Sequence, residues 1–285
     1  MTVVPDNFSD ATLVIVGHGS TVNNESAAPV HQHVEALRHR KIFAQVEPAL
    51  WKVEPFVDTV MKNAATPRVF IVPLLISEGY FSEEAIPEKL GFRQQGQSDF
   101  NRVQIRGAQT LYYCRPIGSH ESMTNVLLAR AKEIVEKFPF PRAPKPKDTS
   151  LFIAGHGTAA NDNSRKAIDG QVQLIGAMNL YNDVHAIFIE EDSRIADCYK
   201  LAAKRNIIVV PFFISDGMHT VEDIPEMLGE PKRIIQERLG QSQPTWRNPT
   251  EKNGKMVWYT RSIGTEPHIA DVILQRVKEA AVSSS

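Results

Sequence analysis

Residues 12–24, TLVIVGHGSTVNN, and residues 150–162, SLFIAGHGTAAND, are two copies of one pattern, with His18 and His156 separated by 138 positions. In each copy an apolar run reads as a buried strand, Gly-His-Gly breaks it, and a polar segment opens a helix. The register persists along the chain: residues 69–79, VFIVPLLISEG, answer residues 207–217, IIVVPFFISDG, at the same step of 138. Ile86-Pro87 against Ile224-Pro225 and Leu90-Gly91 against Leu228-Gly229 keep it. At Ile117-Gly118 against Ile263-Gly264 the step becomes 146, which places an eight-residue insertion within residues 230–258. So many anchors in one register identify an internal duplication, and the fold must be built from two similar units.

The 285 residues suffice for that: two cores of roughly 140 residues each fall within the usual domain size. A net charge of −1 gives no global case for nucleic acid or a membrane as partner. Cys114 and Cys198 lack CxxC spacing and are too few for a disulfide framework, so a reducing compartment is expected. The opening MTVVPDNFSD has neither the basic nor the apolar part of a signal peptide. No apolar run reaches the roughly 18 residues of a membrane span. The expected location is the cytoplasm.

Strands are expected at residues 11–16, 43–51, 69–76 and, more weakly, 103–105, with helices at 23–40, 54–64 and 121–137. The second half repeats the order, with strands at 151, 184–189, 207–214 and 257–259 and helices at 164–180, 193–204, 221–228 and 267–282. Residues 240–254 read as a loop within the insertion. The proline-rich stretch 138–149, FPFPRAPKPKDT, reads as a linker between lobes of residues 1–137 and 150–285. Alternating strands and helices argue for an α/β fold: two tandem, duplicated, flavodoxin-like lobes with mainly parallel sheets.

Chemistry enters where the copies differ. His156 matches His18, but Glu190 is matched by Lys52 and His219 by Phe81. The second half thus holds a His, Glu, His set at three strand ends, and the first half holds His, Lys, Phe. In a sheet of order 2-1-3 these ends are adjacent, roughly 5 Å apart, on the side where ligands bind. Two imidazoles and a carboxylate converging there suit a borderline divalent metal or proton transfer near neutral pH. Glu191 stays open as an alternative acid, although register favours Glu190. Asn23 and Asn161 read as helix-start residues, with a supporting role toward the histidines as the alternative. The other histidines show no such pairing and read as surface or structural. A histidine phosphatase would need Arg where Gly17 and Gly155 stand.

VGHGS and AGHGT, together with VPLLISEGYFSEEAIP and VPFFISDGMHTVEDIP, make the chain resemble two-domain sirohydrochlorin chelatases of the CbiX type, in the class II tetrapyrrole chelatase superfamily. The resemblance covers both halves. It implies a bilobal fold with the macrocycle between lobes, no tightly bound cofactor, and ATP-independent insertion of Co2+ or Fe2+ as substrate metal. It makes His156 and His219 the metal-handling and catalytic histidines and Glu190 the acid that assists them. Some two-domain members keep the histidine pair in the first half, whereas here it lies in the second. His18, Lys52, Tyr80 and Phe81 are then expected to bind the tetrapyrrole, by stacking and by pairing with a peripheral carboxylate. A non-catalytic tetrapyrrole or metal carrier and a nickel chelatase are the alternatives. Oligomeric state is not readable from the sequence.

Overall fold

The computed structural model describes residues 8–157 and 162–282. The chain forms two compact units, one drawn from residues up to His120 together with those from Pro267 onward, the other from Glu121–Glu266.

In the first unit, β1 (Phe8–Gly17), β2 (Phe43–Leu50), β3 (Arg68–Pro73), β4 (Val103–Arg106) and β5 (Gln109–Tyr113) form one sheet in the order β2-β1-β3-β5-β4. All neighbours are parallel except the β4–β5 hairpin at the edge. The second unit repeats this with β6 (Thr149–Gly155), β7 (Asp183–Phe188), β8 (Asn206–Pro211), β9 (Thr250–Lys252) and β10 (Lys255–Tyr259), in the order β7-β6-β8-β10-β9. The expected 2-1-3 core is present in both. β6 is buried along its whole length, as befits a central parallel strand covered on both faces. The helices in chain order are α1 (Ala28–Arg40), α2 (Val57–Asn63), α3 (Ile86–Lys89), α4 (Met123–Lys137), α5 (Asn163–Ala177), α6 (Cys198–Leu201), α7 (Ile224–Met227), α8 (Lys232–Gly240) and α9 (Ile269–Val282). On α1 the expected stripe of Val30, Val34 and Leu37 is buried, and Arg38, His39 and Arg40 close the last turn, where cations meet the negative end of the helix dipole.

The structure departs from the sequence reading at four places. Each sheet's edge is a hairpin: β4 and β5 stand where one weak strand was expected, Gly107 at φ 61° turning β4 back along β5, and β9 falls within residues 240–254, expected to be a loop. The strands expected to run to residues 76 and 214 end at Pro73 and Pro211. The insertion contains a helix, α8 (Lys232–Gly240), where only a loop was expected further on. In the first unit no helix lies between Gly91 and Val103.

The fourth departure concerns lobe boundaries. α4 (Met123–Lys137), expected to finish the first lobe, belongs to the second unit. There Arg130 Nε donates to the Ser262 carbonyl at 3.1 Å and Thr124 Oγ1 to Gln171 at 2.9 Å. α9 (Ile269–Val282), expected to finish the second lobe, belongs to the first unit, where Arg276 Nε donates to the Pro116 carbonyl at 2.9 Å. Each half therefore gives its last helix to the other unit. Residues 138–149 are part of the second unit, and Trp258 Nε1 donates to the Phe138 carbonyl at 2.9 Å. The apolar face of a helix states that it must be covered, not which of two similar sheets covers it. Among the described residues no helix is long and apolar enough to cross a membrane.

Candidate functional site

Both histidines of the duplicated motif follow the central strand of their sheet. The glycine before each accommodates the neighbouring helix: a Cβ at Gly155 would lie 2.1 Å from Ile168, and one at Gly17 would lie 2.4 Å from Val30. The glycine after each sits at positive φ, +71° at Gly157 and +67° at Gly19, where side chains are disfavoured. The neighbouring strand end is then tied on, Glu190 N donating to the His156 carbonyl and Lys52 N to the His18 carbonyl, both at 3.0 Å.

The third position is carried by a π-helical turn, His219–Asp223 in the second unit and Tyr80–Ala85 in the first. Thr220 Oγ1 accepts from Gly217 N at 2.9 Å, and Ser82 Oγ accepts from Gly79 N at 2.9 Å. From β10, Tyr259 Oη donates to the Thr220 carbonyl at 2.7 Å; from β5, Tyr113 Oη does the same to the Ser82 carbonyl at 2.7 Å. The two scaffolds are thus built alike, bond for bond.

On this scaffold His156 and His219 meet edge to face, ring centroids 4.6 Å apart at 82°. His156 Nδ1 lies 2.6 Å from the Gly157 carbonyl, which can only accept, so Nδ1 carries the proton and Nε2 keeps its lone pair. His219 Nδ1 lies 2.6 Å from Asp223 Oδ2, and the same reasoning leaves its Nε2 as the open nitrogen. Two imidazoles of fixed tautomer, in ring contact, therefore each keep one nitrogen lone pair available. Glu190 Oε2 is 3.7 Å from His156 Nδ1, on the protonated side of that ring, and its side chain is 57% exposed. The carboxylate borders the pair instead of joining it. Among the described residues no three His, Cys, Asp or Glu groups assemble into a metal-holding cluster.

Glu191 is engaged elsewhere, its Oε2 accepting from Arg165 Nη1 at 2.6 Å. Asp223 was missed in the sequence, although the signal was there: it stands four residues after His219 on a helical turn, and its counterpart is Ala85, in the half where the second histidine is Phe81. Asn23 caps the first turn before α1 through the Glu25 N–H, and Asn161 lies outside the described residues.

In the first unit His18 and Phe81 reproduce the pair's geometry, 4.6 Å at 81°. Trp51 and Tyr80 pack around Phe81 with centroids 6.0 and 5.4 Å away, and Lys89 Nζ sits 5.2 Å over the Trp51 ring. Lys52 and Tyr80 are exposed. Burial, and after it the Lys52 charge, hold the His18 imidazole below its ordinary 6.5, against the opposing hydrogen bond to the Gly19 carbonyl. Cys114 and Cys198 are free and buried, and burial pushes both thiols up to about 12, so neither is a ready ligand or nucleophile. His120 and His185 are taken up by Glu279 and Asp183.

A protein of Halobacterium salinarum named as a probable sirohydrochlorin cobaltochelatase is 37% identical over 278 residues, covering 94% of this chain and 91% of its own. The sirohydrochlorin ferrochelatase of Bacillus subtilis is 24% identical, with 95% of this chain and 92% of that protein covered. Among solved structures, a multi-domain protein of Deinococcus radiodurans, described as similar to chelatases with two additional novel domains, matches with a TM-score of 0.75 at 25% identity, over 95% of this chain and 54% of that one. The CbiX family model matches twice, at residues 12–134 and 150–280, one match for each copy of the duplication, and the chain belongs to the CbiX family.

Proposed function

We propose that the protein is a sirohydrochlorin chelatase, inserting Co2+ or Fe2+ into sirohydrochlorin without ATP in the cytoplasm, with the working centre in the second unit. The observation that carries this reading is the His156–His219 pair, in ring contact at 4.6 Å, with Nδ1 engaged on each ring and Nε2 left available. The activities for which the relatives are named supply the macrocycle and leave the metal as cobalt or iron.

The reaction exchanges two pyrrole N–H protons for one divalent cation. In this reading the two imidazoles take the partly dehydrated metal, and the rest of its coordination sphere stays free for the macrocycle nitrogens. As metal passes to the ring, the vacated imidazoles accept the displaced protons, and the exposed Glu190 carries them to solvent. Asp223 acts as a positioning residue, fixing the tautomer and ring plane of His219. In the first unit, Trp51, Tyr80 and Phe81 supply an aromatic edge and Lys52 a cation for a peripheral carboxylate.

The test is an anaerobic absorbance time course of sirohydrochlorin with Co2+ or Fe2+ and no protein, wild type or His219→Ala. Insertion accelerated by wild type alone is the expected result. Wild type no faster than the protein-free control, with tight macrocycle binding, would assign a carrier instead; undiminished turnover by His219→Ala would remove the assigned centre.

A further inference from the structure

The second unit contains a cavity of about 520 Å³ that shares only the turn after His219 with the candidate centre. Its volume lies in the range of small-molecule sites. α4 forms one side, β10 the floor, and the inserted segment the rest, through Arg238 and Leu239 at the end of α8 and Trp246 and Arg247 beyond it. The inserted segment thus supplies one part of the wall, and α4 and β10, which have counterparts in the first unit, supply the rest.

Two properties of the lining select an occupant. The first is aromatic walls whose polar atoms are already satisfied. Trp246 and Tyr259 stand 6.4 Å apart at 70°; the indole N–H donates to the Val257 carbonyl at 3.4 Å and the phenol to the Thr220 carbonyl at 2.7 Å. Both side chains are largely buried, 3% and 6% exposed, so what they add to the cavity is a small apolar margin with no free polar atom. The second property is charge, five cationic side chains against two acidic ones. Arg130 is held by Glu133 at 2.6 Å, Arg261 by Asp216 at 3.1 Å and Arg238 by Glu230 at 3.1 Å. Lys137 and Arg247 have no carboxylate partner among the described residues, and Arg247 is exposed at the rim.

We propose that this cavity is a second ligand site, for a planar aromatic anion small enough to enter it: its apolar part against Phe138, Leu239 and the exposed margins of Trp246 and Tyr259, its acidic group on Arg247 and Lys137. The site stands independently of the metal-insertion reading. Because Tyr259 also fastens the turn that presents His219, a ligand packed on Tyr259 bears on the backbone of the candidate centre.

The probe is 8-anilinonaphthalene-1-sulfonate, titrated into the full-length protein by fluorescence, with its neutral relative N-phenyl-1-naphthylamine as control. The expected result is saturable binding of one probe per chain, weakened at least tenfold by Arg247→Glu and abolished by Leu239→Trp, which fills the cavity. His219→Ala should leave the affinity unchanged, and the neutral relative should bind at least tenfold more weakly. Arg247 is exposed, so its variant does not put the fold at risk; circular dichroism checks the Leu239 variant. Wild-type affinity in Arg247→Glu, equal affinity for the neutral relative, unsaturable binding, or loss of binding in His219→Ala would each overturn the proposal.

Discussion

His18 shows how a repeated residue acquires a different character from its neighbours. Its second-unit counterpart faces an imidazole and a carboxylate; His18 faces Phe81 and the Lys52 charge, and burial does most to keep it neutral. Because its folded pKa lies below the ordinary 6.5, its contribution to stability is complete above that pH and is lost as pH falls through the window down to the folded value. In a proton NMR titration the His18 ring should therefore show a midpoint below 6.5, and Lys52→Met should move it only part of the way back, since burial is the larger cause. A midpoint at or above 6.5 would refute that ordering. Asp223 is a different case, holding Nδ1 of His219 at 2.6 Å so that Nε2 stays aimed. Asp223→Asn should cut the rate of metal insertion by about 10–100-fold, the usual cost of losing a group that orients a ligand histidine. The macrocycle KM and the unfolding midpoint should change little; a rate within twofold of wild type would show that His219 needs no such partner.

The π-helical turns are where local sequence and tertiary structure meet. Each is fixed at its start by a hydroxyl and at its side by a tyrosine from the fourth parallel position of the sheet. Tyr259→Phe should lower stability in urea unfolding by about 1–3 kcal/mol, because the Thr220 carbonyl would be left without its donor in a buried place. A loss below about 0.5 kcal/mol would mean that water replaces the phenol. How far such elements can be read in advance depends on where their information sits. β1, β3, β6 and β8 carry apolar runs that end at Gly or Pro, so their place and their burial were legible, and with β6 the position of His156; the π-helical turn that carries His219, eight residues beyond Pro211, was not. The β4–β5 hairpin was not, since a half-exposed edge strand such as Val103–Arg106 has too few buried positions to show a period. Convergence was only half legible. Strand order brought the rings of His156 and His219 together, but whether Glu190 would join them depended on side-chain direction, and it borders the protonated edge of His156 instead. The cavity beside α8 was also beyond reach, because it forms where the inserted segment meets α4 and β10, elements far apart in the chain.

At the scale of the molecule, the duplication amounts to an internal control. Both units have the same strand order, the same tied strand ends, and a ring pair at 4.6 Å and about 81–82°. They differ at the tips, where Glu190, His219 and Asp223 stand against Lys52, Phe81 and Ala85. If the scaffold alone sets geometry and the tips alone set chemistry, then moving three residues should move the chemistry. A Lys52→Glu, Phe81→His, Ala85→Asp variant should bind two Co2+ ions per chain in an anaerobic calorimetric titration, against one for wild type. Adding His18→Ala to that variant should return the count to one, and adding His219→Ala should do the same from the other unit. Ala85 is buried, so the new carboxylate carries a desolvation cost that only a hydrogen bond from the new imidazole would offset, as Asp223 and His219 do for each other. A variant with intact circular dichroism that still binds one ion would show that the first unit has diverged beneath its tips as well, in the packing of Trp51 and Tyr80 around position 81.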